Sequence, residues 1–216
     1  MVINRTERGF DRVVNFSDAV VAIAITLLVL PLIDLLNDEQ TETLGEVISK
    51  NGSAFVAYLI AFSVLAGYWR MHHQIYELIG NYDGWLMRLN LAWLLLVVLL
   101  PFLSASFSSY QSRDPNSPDY GDTLPLVLYL LTLALMSALM ALMLLVVRLR
   151  PELRAPGTET RYLDSWRLIA FMIYELIVAA VAQISGKTWV AWGLLGLVVL
   201  SALFALRARR LGIPAI

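Results

Sequence analysis

Six apolar runs, each long enough to cross a bilayer, dominate this chain: residues 13–33, 54–75, 89–107, 124–147, 167–185 and 189–206. Each holds about 18–24 residues, and a helix of that length spans roughly 30 Å of hydrocarbon. Lipid offers no partner to backbone N–H and C=O groups, so a spanning segment must satisfy them internally. Long unbroken runs do this as helices; a barrel would show short alternating strands. The expected fold class is therefore an all-α integral membrane protein with six transmembrane helices. Hydrophobic residues make up 59% of the chain and charged ones only 15%, more apolar surface than a soluble domain of 216 residues hides.

The connections between runs are short. The longest, "DLLNDEQTETLGEVISKNGS", has room for an amphipathic turn carrying Leu44, Val47 and Ile48. "SYQSRDPNSPDYGD" reads as a polar surface loop, and Ser185-Gly186-Lys187-Thr188 as a tight helical hairpin. With no long linker and no low-complexity tract, the chain reads as one domain, 1–216. Arg5, Arg8 and Arg12 imitate the basic start of a secretory signal. The run behind them is too long and lacks a small-residue cleavage site, so it reads as a retained span. There are no cysteines, hence no disulfide and no thiolate metal site. The net charge is −1 and no basic patch is interleaved with aromatics, which argues against nucleic-acid binding.

Arginines set the expected orientation. With six spans both termini share one side, and that side holds Arg5, Arg8, Arg12, Arg70, Arg88, Arg148, Arg150, Arg154, Arg161, Arg167, Arg207, Arg209 and Arg210. Only Lys50, Arg113 and Lys187 lie opposite, so both termini are expected in the cytoplasm of a plasma-membrane protein. The opposite side is acidic: Asp34, Asp38, Glu39, Glu42, Glu46, Asp114, Asp119 and Asp122. Such a vestibule concentrates cations, although plain solvated loops have the same composition. Tyr58, Tyr68, Trp69, Trp85, Tyr110, Trp166 and Trp189 are expected in the interfacial belts of any membrane protein. Ala134, Ala138, Gly193 and Gly196 suit close helix packing.

The first span carries polar groups at its mouth, "RVVNFSD" at residues 12–18. At about 100° per residue, Ile23, Leu27 and Leu30 fall on one stripe, extended by Phe16, Ala19 and Asp34. Ser17 and Asp18 lie well away from it. An aliphatic stripe alone is uninformative in hydrocarbon, where lipid or a neighbouring helix would cover it. An intramembrane carboxylate is more telling, because it needs partners. His72, His73, Asn90 and Trp93 lie at the same expected depth. A network Asp18–Ser17–His–Trp93 would tie three helices together and hold the stripe in place.

These residues resemble a known family. R-x-x-x-F-S-D at Arg12, Phe16, Ser17 and Asp18, the aliphatic run to Pro31, "YWRMHHQIY" at 68–76, and Asn90 with Trp93 are similar to the transmembrane protein 175 potassium-channel family, in its bacterial single-unit form. The resemblance implies a potassium-permeable cation channel, not an enzyme, needing no cofactor. Four copies assemble around an axis, in contact with membrane lipid, with the first helix of each lining the pore. The family has no carbonyl selectivity filter, and this chain holds no TVGYG-like loop. Rings of aliphatic side chains form the constriction instead, carried here by Ile23, Leu27 and Leu30. Asp34 stands at the pore entrance, and Arg12, Phe16, Ser17, Asp18, His72, His73, Asn90 and Trp93 form the bracing motif. Monovalent cations are the expected passengers and potassium the permeant ion.

His73 and Glu77 share a helical face at i, i+4, which is ligand geometry, but a third and fourth ligand are missing, so no metal site is expected. A secondary transporter, or another polytopic membrane protein, is the alternative function: Glu175 and Gln183 in the fifth run offer a coupling site. Pro101 is the one internal break and has no counterpart. Glu175 reads rather as an interfacial or a buried structural acid.

Overall fold

The computed structural model describes residues 7–38, 43–111, 122–158 and 165–210. The described residues fold into helices α1 (Glu7–Leu27), α2 (Leu30–Asp38), α3 (Leu44–Lys50), α4 (Gly52–Glu77), α5 (Gly84–Gln111), α6 (Leu124–Leu149), α7 (Trp166–Ser185) and α8 (Gly193–Arg210), with single 3₁₀ turns at Pro151–Leu153 and Thr188–Trp192. Among the described residues, five segments are long and apolar enough to cross a membrane: Gly9–Leu36, Gly52–Glu77, Gly84–Ser109, Leu124–Leu149 and Trp166–Ser185. The sixth run is built in two parts. Its first residues wind as the 3₁₀ turn Thr188–Trp192, and the rest continues as α8 from Gly193. The acidic residues Glu39, Glu42, Asp114 and Asp119, and Arg5, Arg113 and Arg161, lie outside the described residues.

The first span is not one regular helix. Pro31 has no N–H to donate to Leu27, and its ring crowds the preceding turn. The ladder tightens ahead of it: Leu28 and Val29 bond the carbonyls of Ile25 and Thr26, three residues back. The Thr26 hydroxyl also caps Ile23 O at 2.7 Å. Hydrogen bonding resumes at Leu32, which donates to Val29 O. α1 and α2 are thus two pieces of one span, joined at residues 28–29.

α6 is the centre of the bundle. Among its buried residues, Leu126, Leu130, Leu133, Ser137, Met140, Leu144 and Val147 alternate spacings of four and three, one seam along the helix, with Tyr129, Met136 and Met143 buried beside it. α5 and α7 pack on either side of α6, α1 lies against α5 and α4, and α8 lies against α4. Without a water-driven effect between lipid-embedded helices, such contacts rest on close packing. Gly193 shows this: a Cβ there would sit 3.0 Å from Val178 Cγ1 of α7. Gly186 (φ 59°) ends α7 in the left-handed cap that favours glycine.

At one end of the bundle two loops are clasped. Asp83 caps α5 through Oδ1, accepting from the N–H groups of Trp85 and Leu86, while Oδ2 takes Arg150. Gly80 N–H donates to Leu153 O at 2.9 Å, and Ala155 N–H to Leu78 O at 3.0 Å.

Candidate functional site

α1 has two unlike faces. Val13, Ser17, Val21, Ala24 and Leu28 are buried, and they are the side of the helix that meets α4 and α5. Roughly opposite, Arg12, Phe16, Ala19, Ile23, Thr26 and Leu27 are exposed, and the line continues through Leu30 and Asp34 of α2. Ile23 is 60% exposed and Leu30 48%. The aliphatic stripe read from the sequence is therefore a surface of the single chain, facing away from its own bundle.

Behind α1 runs a buried hydrogen-bond chain. Ser17 Oγ donates to Val13 O at 2.9 Å, the α1 carbonyl one turn back. Asn90 Nδ2 of α5 donates to Ser17 Oγ at 2.9 Å, and Asn90 Oδ1 lies 2.9 Å from His72 Nε2 of α4. Because Nδ2 is committed to Ser17, Oδ1 is the acceptor and the His72 proton sits on Nε2. The His72 ring lies flat on Trp93, centroids 4.0 Å apart and planes 15° apart, and stacks on Tyr76 at 4.6 Å. Ser17, His72, Asn90 and Trp93 are each at most 2% exposed.

Asp18 is elsewhere. It accepts from Trp69 Nε1 at 2.8 Å and lies 4.0 Å from His73 Nδ1, in a partly exposed patch. Glu77 stands 3.7 Å from the other ring nitrogen of His73. The single network expected from the sequence is therefore two. The reason is helical geometry: consecutive residues point about 100° apart, so Ser17 and Asp18 diverge on α1 as His72 and His73 diverge on α4. Trp93 joins through its ring rather than its N–H, which is buried with no hydrogen-bond partner among the described residues. Arg12 and Phe16 are exposed on the stripe's face and belong to neither network.

Tyr68, assigned to an interfacial belt, is buried in the bundle, where it meets Ser137 and Glu175. Glu175 is a buried acid and Gln183 is exposed, so the two do not form one coupling site. Among the described residues no group of three His, Cys, Asp or Glu side chains could hold a metal ion. Trp69 as the Asp18 partner had a legible signal: it stands four residues before His73, on the same face of α4.

Residues 12–101, which carry the stripe and both networks, match the family model described as "Endosomal/lysosomal potassium channel TMEM175". A potassium channel of Streptomyces collinus is 33% identical over 123 residues, 57% of this chain and 59% of that protein. An endosomal/lysosomal proton channel TMEM175 of Mus musculus is 27% identical over 101 residues, 45% of this chain and 20% of its own length. The chain thus spans less than two thirds of these relatives. The fold matches a crystal structure of a lysosomal potassium-selective channel TMEM175 homolog from Chamaesiphon minutus with a TM-score of 0.72 and 24% identity, over 93% of this chain and 98% of that one. Over residues 12–101, the stretch that holds the aliphatic stripe and the two networks behind it, this chain is similar to the TMEM175 family.

Proposed function

We propose that this chain is the pore-forming subunit of a potassium-permeable cation channel, a single six-span domain of which four copies surround an axis lined by α1 and α2. The observation that carries the reading is the exposed stripe Ile23–Leu27–Leu30 on a helix whose opposite face is locked to α4 and α5. The fold likeness to a potassium-selective channel supports it. In the assembly the stripe faces its own copies, and the constriction is three aliphatic rings stacked over about 10 Å. Such rings bar hydrated ions by dewetting, and a small outward turn of the helices rewets them. Discrimination rests on the cost of stripping water, lower for potassium than for sodium. The exposed carboxylate of Asp34 stands at the outer entrance and raises the local cation concentration. Ser17, Asp18, His72, His73, Asn90 and Trp93 act as braces and do not touch the ion. The arginine distribution supports a plasma-membrane protein with both termini in the cytoplasm.

The test is reconstitution into vesicles loaded with potassium chloride and diluted into sodium chloride, with flux read by a voltage-coupled dye and, in planar bilayers, by single-channel recording. Potassium should pass faster than any alternating-access cycle allows, and Ile23→Ala or Leu27→Ala should raise flux or weaken selectivity. Because the mouse relative bears the name of a proton channel, a protonophore-free control separates proton passage from potassium passage. Well-folded protein that carries no current, or variants indistinguishable from the parent in both flux and selectivity, would refute the pore wall.

A further inference from the structure

Away from α1, one acid is sealed inside the bundle. Glu175 of α7 is fully buried. It meets α4 through Tyr68, whose hydroxyl contacts Glu175 Oε1, and α6 through Ser137 Oγ, 3.2 Å from Oε2. The Tyr68 hydroxyl has two more neighbours, Ser137 Oγ at 2.7 Å and the Leu133 carbonyl at 3.1 Å. No lysine, arginine or histidine among the described residues forms an ion pair with Glu175. The titratable groups that face it are tyrosines: Tyr68 from α4 and Tyr129 from α6. Tyr174, next to it on α7, turns its hydroxyl to Gly193 O.

Counting protons decides what Glu175 is. Each contact between two oxygens needs one hydrogen. A carboxylate brings none, so the two hydroxyls have two protons for four contacts. Tyr68 would then give its proton to Glu175 and leave the Leu133 contact empty. A carboxylic acid adds the third proton. Glu175 then donates to Tyr68 Oη, Ser137 donates to the second lone pair of the same oxygen, and Tyr68 donates onward to Leu133 O. Tyr68 becomes one donor and two acceptors, its full capacity, and the chain ends on a backbone carbonyl. Only the long Ser137–Glu175 contact stays unfilled. The alternative is an anion in hydrocarbon held by hydroxyls alone, with no countercharge, a costly arrangement for a bundle.

We infer that Glu175, Tyr68 and Ser137 form a proton-binding site, in which Glu175 holds a proton as a carboxylic acid and so clasps α4 to α6 and α7. Beside it, a crevice of about 50 Å³ between α4, α7 and α8 is lined by Ser63, Gly67 and Tyr68 with Phe171 and Val198. Nothing in this site needs the pore to conduct, so it stands apart from the channel reading.

Infrared spectroscopy of the full chain in lipid tests it directly. At neutral pH the parent should show a carboxylic-acid C=O band that moves in heavy water, disappears in Glu175→Gln and changes frequency in Tyr68→Phe. Thermal unfolding supplies the second readout. The folded chain holds a proton that the unfolded chain has released at neutral pH, so the parent's stability falls as pH rises above the ordinary carboxylate range. The slope is about tenfold in the unfolding constant per pH unit, and Glu175→Gln should lack it. If Glu175→Gln does not fold, the parent band and its shift in Tyr68→Phe still decide. A carboxylate band in place of the acid band, or parent and Glu175→Gln with parallel pH profiles, would overturn the proposal.

Discussion

Ser17 and Asn90 should be energetically coupled, and Asp18 and Asn90 should not. Ser17→Ala removes the oxygen that Asn90 Nδ2 donates to at 2.9 Å and strands a buried N–H, at a cost of about 1–3 kcal/mol. Asn90→Leu, close in volume, removes that bond and strands the His72 Nε2 proton as well, for about 2–4 kcal/mol on the same reasoning. Once the Asn90 donor is gone, removing Ser17 Oγ costs little more, because its remaining bond goes to a Val13 carbonyl that its own helix already uses. The two single effects should therefore exceed the double effect. Hydrogen bonds between membrane helices give about 0.6 kcal/mol in such cycles and reach roughly 1.7. A fully buried link with a further partner belongs in the upper half, near 1 kcal/mol. The assay is unfolding of the purified protein in mixed micelles, with all four variants measured together. Asp18→Ala is the internal control: its partners are Trp69 and His73, it shares none with Asn90, and it should add to Asn90→Leu within about 0.5 kcal/mol. Additivity for Ser17 with Asn90, or equal coupling for Asp18 with Asn90, would refute the division into two networks.

Gly80→Ala should destabilise the loop clasp by about 1–3 kcal/mol: the new Cβ would lie 2.9 Å from the Ala155 Cα and 3.0 Å from the Arg154 carbonyl, backbone that cannot swing aside. An unchanged melting temperature would show that the two loops are not held as described. The chain has no cysteine, so single cysteines report without background. A small cationic thiol reagent should block current through Ile23→Cys or Leu27→Cys and leave Ala24→Cys and Leu28→Cys untouched; the reverse pattern would turn the pore face inward.

Periodicity and length were enough to read a helical membrane bundle and the two faces of α1, because hydrocarbon leaves the backbone few options. The stripe's 3.6-residue repeat survives in the structure as the exposed face running from Phe16 to Leu30. What escaped was the pairing of polar groups across helices. Ser17 and Asp18 are neighbours in sequence and share a depth, which suggested one network. The angle between them, not their depth, decides their partners. Tyr68 looked interfacial because tyrosine is common there, yet it lies nine residues before the end of α4, about 13 Å in. Its need for a partner at that depth, together with Ser137 on the α6 seam and Glu175 in α7, was the legible signal for the buried cluster.

The break in the first span bears on how the proposed constriction would move. Leu27 is the last residue of α1 and Leu30 the first of α2, so the stripe crosses the junction that Pro31 imposes. Above the junction the helix is held at Ser17 and Asp18, two points on different sides of α1, each tied to a different set of partners. Two such points fix both the position and the rotation of α1 about its axis, and with them the direction in which Ile23 faces. Below the junction α2 makes fewer contacts, lying against α3 and α5. Residues 28–29 have already given up regular i→i+4 bonding, so a turn of α2 there breaks no intact helical ladder. Leu30 and Asp34 should therefore move more readily than Ile23. Widening would begin at the Leu30 ring and its acidic entrance, while the Ile23 ring, fixed by the braces, stays the last barrier to rewet.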